Sequence, residues 1–379
     1  MPTWTISDSR ARRCKRWSLY PEDVIDLSVA EMDLPVAEPI MEVLRDAVER
    51  QAFGYPLPAE ETELPRAAAT WLAAKGLTVE PEQIRLMPDV IKGIVLSLRH
   101  HTEAGTPVAM ITPTYSRFHD AAVAAEREVI EVPMLDPGDG YVLDLEGVDA
   151  ALGAGARSVL LCNPSNPVGR VFSRQELSAL ADLVESHGAR TISDEIHAPL
   201  AYDGGFTPYA SVGEHAAAHS MTHTSASKGW NIPGLRCALV VMTSPDDPPV
   251  WDSLPRASKG GISPLGIEAT VAAFTRGGAW MDQALANLAQ SRETLLEALG
   301  RSGLGDLVHR PEATYLAWLD LRRFGLADAR THLLEHAGVA VTAGEEHGGA
   351  GTGFVRLNFA TPPDVLTTAV DRIAGALGT

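Results

Sequence analysis

Between residues 80 and 245, short apolar runs that end in turn-forming residues alternate with stretches of helical periodicity, a rhythm that few architectures accept. The runs at 108–112, 158–163, 190–196 and 237–242 read as buried strands. Segments 117–127 and 173–187 read as helices, the second opening with the capping-box pattern Ser173-Arg174-Gln175-Glu176. Repeated strand, helix and strand predict an α/β domain whose mainly parallel sheet is covered on both faces. Ligands of such sheets bind beyond the carboxyl ends of the strands. From about Ala279 a long Ala/Leu-rich helix is expected, then 315–321, a helix at 327–337 and the run 353–358, which together suggest an α+β unit. A length of 379 residues also favours a large domain plus a smaller one. The Pro/Asp cluster at 244–249 reads as a surface turn.

Composition removes several function classes. Thirty-one basic against 49 acidic side chains give a net charge of −18, which repels nucleic-acid phosphates and anionic lipid headgroups. The chain is 45% hydrophobic and 21% charged, with nothing near the roughly 18 apolar residues of a membrane span. The opening Met1-Pro2-Thr3-Trp4 has no basic region followed by an apolar run, so a cytoplasmic protein is expected. Cys14, Cys162 and Cys237 are widely spaced and lack CxxC pairing, which predicts buried free thiols and neither disulfides nor zinc.

Four segments carry candidate chemistry. In Thr224-Ser225-Ala226-Ser227-Lys228-Gly229-Trp230-Asn231, a lysine lies among small hydroxyl residues after a strand-like run. Such a lysine can condense with an aldehyde if its pKa falls, and the hydroxyls of Ser225 and Ser227 can bind phosphate; alone, the motif more often describes an ordinary surface-loop lysine. Asp194, in Ser193-Asp194-Glu195-Ile196-His197, ends a strand facing the expected ligand crevice. A buried carboxylate there can hold a pyridine nitrogen protonated, or it can cap the next helix. Asn166 lies in the proline-stiffened loop Asn163-Pro164-Ser165-Asn166-Pro167-Val168-Gly169-Arg170, where its amide is a fixed donor or a plain turn former. Tyr115, after Thr112-Pro113-Thr114, can stack on a flat ring.

Taken together, residues 163–170, 194–197 and 225–235, in this order and spacing, resemble the signature set of fold-type-I pyridoxal-5′-phosphate (PLP) enzymes, the aspartate-aminotransferase superfamily. Within it, Asp194-Glu195-Ile196-His197 is most similar to the MalY/PatB-like branch of cystathionine β-lyases and C–S lyases. Val29-Ala30-Glu31-Met32-Asp33, Phe53-Gly54-Tyr55-Pro56, Ser263-Pro264-Leu265-Gly266, 314–320 and 353–358 extend the resemblance over nearly the whole chain. It implies a large PLP domain at 51–280 with a mainly parallel mixed sheet. It also implies a smaller α+β domain built from both termini, 1–50 and 281–379, and a homodimer with sites at the subunit boundary.

Carried over by position, Lys228 holds the cofactor as a Schiff base and Asp194 partners the pyridine nitrogen. Asn166 and His197 sit near the ring hydroxyl, and Tyr115 stacks on the ring. Ser225, Ser227 and the amides of Val90 and Ile91 hold the phosphate, with Arg236 beside it and Tyr55 reaching in from the other subunit. Arg356 clamps the substrate carboxylate, with Ala30, Glu31 and Asn166 also at the substrate.

Three positions depart from the branch. Glu31 stands in place of an aspartate, Asp89 in place of a small residue, and Arg236 matches a phosphate-binding arginine of aminotransferases. Asp89 is expected to turn away from the phosphate and cap the following helix. His332-Leu333-Leu334-Glu335-His336 matches a metalloprotease pattern but lacks a third ligand in sequence, and Gly349-x-Gly351-x-Gly353 precedes a strand, so neither metal nor dinucleotide binding is expected. The leading functional expectation is β-elimination from a cysteine S-conjugate or cystathionine to give thiol, pyruvate and ammonia. The alternatives are transamination, or decarboxylation-coupled oxidative deamination of an S-linked amino acid in secondary metabolism, as in lincosamide-type pathways.

Overall fold

The computed structural model describes residues 4–202 and 205–379. Met1, Pro2 and Thr3, on which the leader reading rests, lie outside the described residues. Seven strands form the central sheet: β1 (Ile84–Met87), β2 (Val108–Thr112), β3 (Val129–Pro133), β4 (Ser158–Cys162), β5 (Arg190–Asp194), β6 (Ser220–Thr224) and β7 (Ala238–Met242). Their spatial order is β1-β7-β6-β5-β4-β2-β3. From β3 across to β6 every pairing is parallel, and only β7 runs against the rest.

Strands β2, β4, β6 and β7 are buried along their whole length, as a sheet covered on both faces requires. Successive side chains serve opposite cores. Ala109, Ile111, Val159 and Leu161 pack on one face with Leu177 and Leu180 of helix α2 (Arg174–Ser186). Val108, Met110, Leu160 and Val240 pack on the other with Ile94 and Leu98 of the preceding helix α1 (Val90–His100). Ser173 caps α2 through the expected reciprocal bonds with Glu176.

A second antiparallel sheet joins β8 (Leu316–Asp320), β9 (Thr342–Ala343) and β10 (Phe354–Asn358) in the order β9-β10-β8. Its core includes Leu288, Leu295 and Leu299 of the 24-residue helix α3 (Gly278–Arg301). Trp17, Ile25, Leu27 and Met32 from the opposite end of the chain pack into the same core, and Ile25–Asp26 pairs in parallel with Val339–Ala340. Ala37 and Ile40 pack instead with Leu64, Trp71 and Ile267.

Two local expectations need correction. Cys14 is exposed, and only Cys162 and Cys237 are buried. The 244–249 cluster is no simple surface turn: it enters the helix Asp247–Ser253 and buries Asp247, which accepts from Arg190 at 2.6 Å and lies 3.2 Å from His101. A carboxylate with two such partners can be buried because its charge is matched. Among the described residues no helix is long and apolar enough to cross a membrane.

Candidate active site

At the carboxyl ends of β4, β5 and β6 lies a cavity of about 830 Å³. It brings together Lys228, Asp194, His197, Asn166, Tyr115 and Arg356. Ala30, Glu31, Val90, Ile91, Ser225, Ser227 and Arg236 line it as well. Tyr55 does not: it is fully exposed on a separate apolar cavity, so a single chain places it away from this site.

Lys228 is positioned by the end of β6. After Thr224 the chain turns into a short helix, Ala226–Gly229, capped by the Ser225 hydroxyl, which accepts from the Ser227 amide at 3.0 Å and donates to the Cys237 carbonyl at 2.7 Å. The Ser225 hydroxyl is thus committed to holding the lysine turn. Half-buried, Lys228 donates from Nζ to the Ala30 carbonyl at 3.0 Å. Desolvation, helped by the Arg356 cation and opposed by Glu31 and Asp194, lowers its pKa to about 8. The neutral amine, the nucleophilic form, is therefore a far larger fraction near pH 7 than in an ordinary lysine, though still the minor one.

Asp194 ends β5 and is 3% exposed. One carboxylate oxygen accepts from the Ile196 amide at 3.0 Å; burial, set against that bond and Lys228, raises its pKa to about 7. Such a group gains from a cationic hydrogen-bond donor. His197, also buried, is driven to a pKa of about 3 by desolvation and the Lys228 and Arg356 charges, so it is neutral, and its Nδ1 has no hydrogen-bond partner among the described residues. Its ring meets Tyr315 edge-on at 6.3 Å.

Arg356 on β10 is 6% exposed, yet among the described residues it contacts no carboxylate. It donates to the Asn166 side-chain oxygen at 3.1 Å, the Ser28 carbonyl at 3.0 Å and the Thr342 hydroxyl at 3.1 Å, and its Nε has no partner among the described residues. Desolvation lowers its pKa, but a guanidinium stays charged at any physiological pH. A buried guanidinium hydrogen-bonded by neutral acceptors, with the Glu346 carboxylate acting on it only at longer range, is suited to pairing with an anion.

Residues 28–32 form a strap whose carbonyls are held from several sides. Tyr315 donates to Ala30, Asn358 to Val29 and Glu31, and Arg16 to Glu31. Asn231 both accepts from the Met32 amide and donates to its carbonyl. Sequence reasoning assigned no role to Tyr315, Asn358, Asn231, Ser28 or Thr342. Nor did it single out Glu195, buried next to Asp194, where it accepts from the Tyr209 amide at 2.9 Å and Ser193 at 3.0 Å. The Glu31 carboxylate lines the cavity without a hydrogen bond or ion pair among the described residues.

Across the cavity, α1 presents its N-terminus. Asp89 caps it, accepting from the Lys92 amide at 2.8 Å, as expected of this residue. Its other oxygen accepts from Arg236 at 2.7 Å.

These residues fit a flat aldehyde carrying an anionic arm: an amine of lowered pKa, a buried acid for a ring nitrogen, an orphaned imidazole nitrogen, and a helix N-terminus with a guanidinium. Comparison with known proteins agrees. Residues 22–373 match the class I and II aminotransferase family. The cystathionine β-lyase of Corynebacterium glutamicum is 34% identical over 98% of this chain and 99% of its own length. A candidate PLP-dependent β-cystathionase of Corynebacterium diphtheriae superposes over the full length of both chains with a TM-score of 0.92 at 36% identity. Cystalysin of Treponema denticola, whose crystals contain PLP, gives 0.92 at 26% identity over 100% of this chain and 99% of its own. With family signature, site and whole-chain relatives in agreement, this chain belongs to the class I and II aminotransferase family, on its MalY/PatB-like C–S lyase branch.

Proposed function

We propose that this PLP-dependent C–S lyase carries out β-elimination on cystathionine or another cysteine S-conjugate, releasing a thiol, pyruvate and ammonia. The observation that carries the reading is Arg356, a buried guanidinium that among the described residues is hydrogen-bonded by neutral acceptors alone and is open at Nε, in the same cavity as the amine of Lys228. An α-carboxylate supplies the charge that Arg356 lacks, in the bidentate geometry to which a guanidinium is suited. Bound PLP supplies an electron sink for the charge that develops at the substrate α-carbon.

The remaining work falls to the chain. Lys228, with its pKa lowered to about 8, holds the cofactor and then, once released, removes the α-proton as a neutral amine. Asp194 keeps the ring nitrogen protonated, a role in which its buried charge gains a partner. Asn166, with its oxygen fixed by Arg356, would offer its amide hydrogens to the ring oxygen, with His197 Nδ1 nearby, and Tyr115, which lines the same cavity, would stack on the ring. With the carboxylate fixed by Arg356, the substrate α-carbon would be held where Lys228 can take its proton, and elimination of the thiolate would follow from the electron sink that bound PLP would supply.

Arg236 favours a second reading, transamination, because it occupies a position where many aminotransferases hold a phosphate-binding arginine. Product analysis separates the two. Purified protein given L-cystathionine without a keto acid is expected to form thiol and pyruvate in equal amounts. Turnover strictly dependent on a keto acid selects transamination, and carbon dioxide with an aldehyde selects the decarboxylating reaction; either outcome removes the lyase reading.

The active form is proposed to be a homodimer. Phe53 and Leu57 are 62% and 61% exposed around Tyr55, an apolar segment that a second copy would cover. Tyr55 would then meet the partner's cofactor phosphate. Sedimentation is expected to give a dimer and Tyr55→Phe to loosen PLP; an active monomer contradicts both.

A further inference from the structure

Asp89 and Arg236, two of the three positions at which the sequence departs from its branch, touch each other. The Arg236 guanidinium donates to the Asp89 carboxylate at 2.7 Å, and this is its one side-chain partner among the described residues. Both line the same cavity as Val90, Ile91 and Ser227. Arg236 has a left-handed backbone with φ 50°, an uncommon conformation for a residue with a side chain, at the end of the turn Pro233–Leu235. Asp89 is fixed as the cap of α1. The guanidinium is therefore tied to a rigid acid at the edge of the place where an anionic arm meets the helix N-terminus.

A phosphate entering there must take Arg236 from Asp89 or share it, so part of what the guanidinium offers the phosphate is spent on its bond to Asp89. The pair is half exposed, at 57% and 39%, so it opens readily and resists only modestly. We propose that Asp89 is a positioning residue that competes with the cofactor phosphate for Arg236, so that this chain holds PLP more loosely than its phosphate site alone would allow and exchanges it more readily. The proposal depends on the cofactor and not on the substrate, so a failed elimination assay leaves it standing.

Cofactor-free protein titrated with PLP, and separately with pyridoxal, which lacks the phosphate, tests it through absorbance and tryptophan quenching. Asp89→Asn and Asp89→Ser remove the charge and keep a helix cap, and circular dichroism of the cofactor-free forms checks folding. Each is expected to tighten PLP by about threefold, the scale of one half-exposed ion pair that the phosphate no longer has to open, and to leave pyridoxal unchanged. Arg236→Ala is expected to weaken PLP by about tenfold. In the Arg236→Ala background, Asp89→Asn should lose most of its gain. Unchanged or weaker PLP binding in both Asp89 variants overturns the proposal. So does an equal shift for pyridoxal, or a full gain without Arg236, which would signify simple repulsion across space.

Discussion

At one end of the cavity Asp194 and Arg356 are buried, and Lys228 is half-buried with them, all three opposed by desolvation; at the other, Asp89 and Arg236 are exposed and neutralise each other. The buried end stores free energy that a bound molecule can release, since an uncompensated buried charge gains most from a partner. The exposed end stores little. In the proposed mechanism the reaction chemistry belongs to the buried end, and the exposed end is expected to alter cofactor affinity without disturbing it.

The largest effects should come from the buried end. Lys228→Ala is expected to cut turnover by about 10²–10⁴-fold, the usual share of a general base, and Arg356→Ala to cost about 3–5 kcal/mol in kcat/KM, mostly through KM. Steady-state kinetics with a cysteine conjugate check both. An Arg356→Ala enzyme with unchanged KM would erase the contrast between the two ends.

Asp194→Asn should act in opposite directions on function and stability. In the cofactor-free protein the Asp194 pKa is raised to about 7 from 3.8, so the folded state binds more protons than the unfolded state between those values. Its cost to stability grows as pH rises from about 4 to 7 and is full above that. The asparagine variant should bind PLP poorly, yet its cofactor-free form should melt at or above the wild-type temperature at pH 8, with the difference fading towards pH 4. Calorimetry at the two pH values, with PLP titration beside it, checks this.

Cofactor capture should carry a smaller signature. Because the Lys228 pKa is lowered to about 8 from 10.5, the rate at which cofactor-free protein takes up PLP should rise with pH and level off above about 8. Lys228 itself makes the cofactor-free fold less stable below that pH, a cost relieved as pH climbs from about 8 to 10.5. The smallest expected change is in Glu31→Gln. Glu31 raises the Lys228 pKa, so its removal should move the uptake midpoint down by about a few tenths of a unit. Stopped-flow absorbance across pH measures both, and an upward move would contradict the charge relation between Glu31 and Lys228.

The contrast between the two ends also explains what could be read from the sequence. Lys228, Asp194 and Asn166 follow buried strands, and a strand marked by continuous apolar residues announces where its carboxyl end lies. Capping at Ser173 and Asp89 was legible because the bonds span three residues. The surroundings of Arg356 were not. Its acceptors include the Ser28 carbonyl, 328 residues away, and backbone carbonyls carry no residue-type signature. The strap contacts of Asn231 and Asn358 likewise span 199 and 329 residues. Strand β1, Ile-Arg-Leu-Met, was too short and mixed to stand out, although its pairing with β7 completes the sheet behind α1. At 244–249, Pro and Asp signalled a turn, while His101 and Arg190, the partners that bury Asp247, lie far off in sequence. Asp89 and Arg236 were each visible as departures, but their contact, 147 residues apart, was not.

The most direct test of the account is chemical. Borohydride added to the yellow purified protein, followed by digestion and mass spectrometry, should place the reduced pyridoxyl group on the peptide containing Lys228 and leave Lys228→Ala unlabelled. Recovery of the label on another lysine, or full turnover by Lys228→Ala, would contradict it.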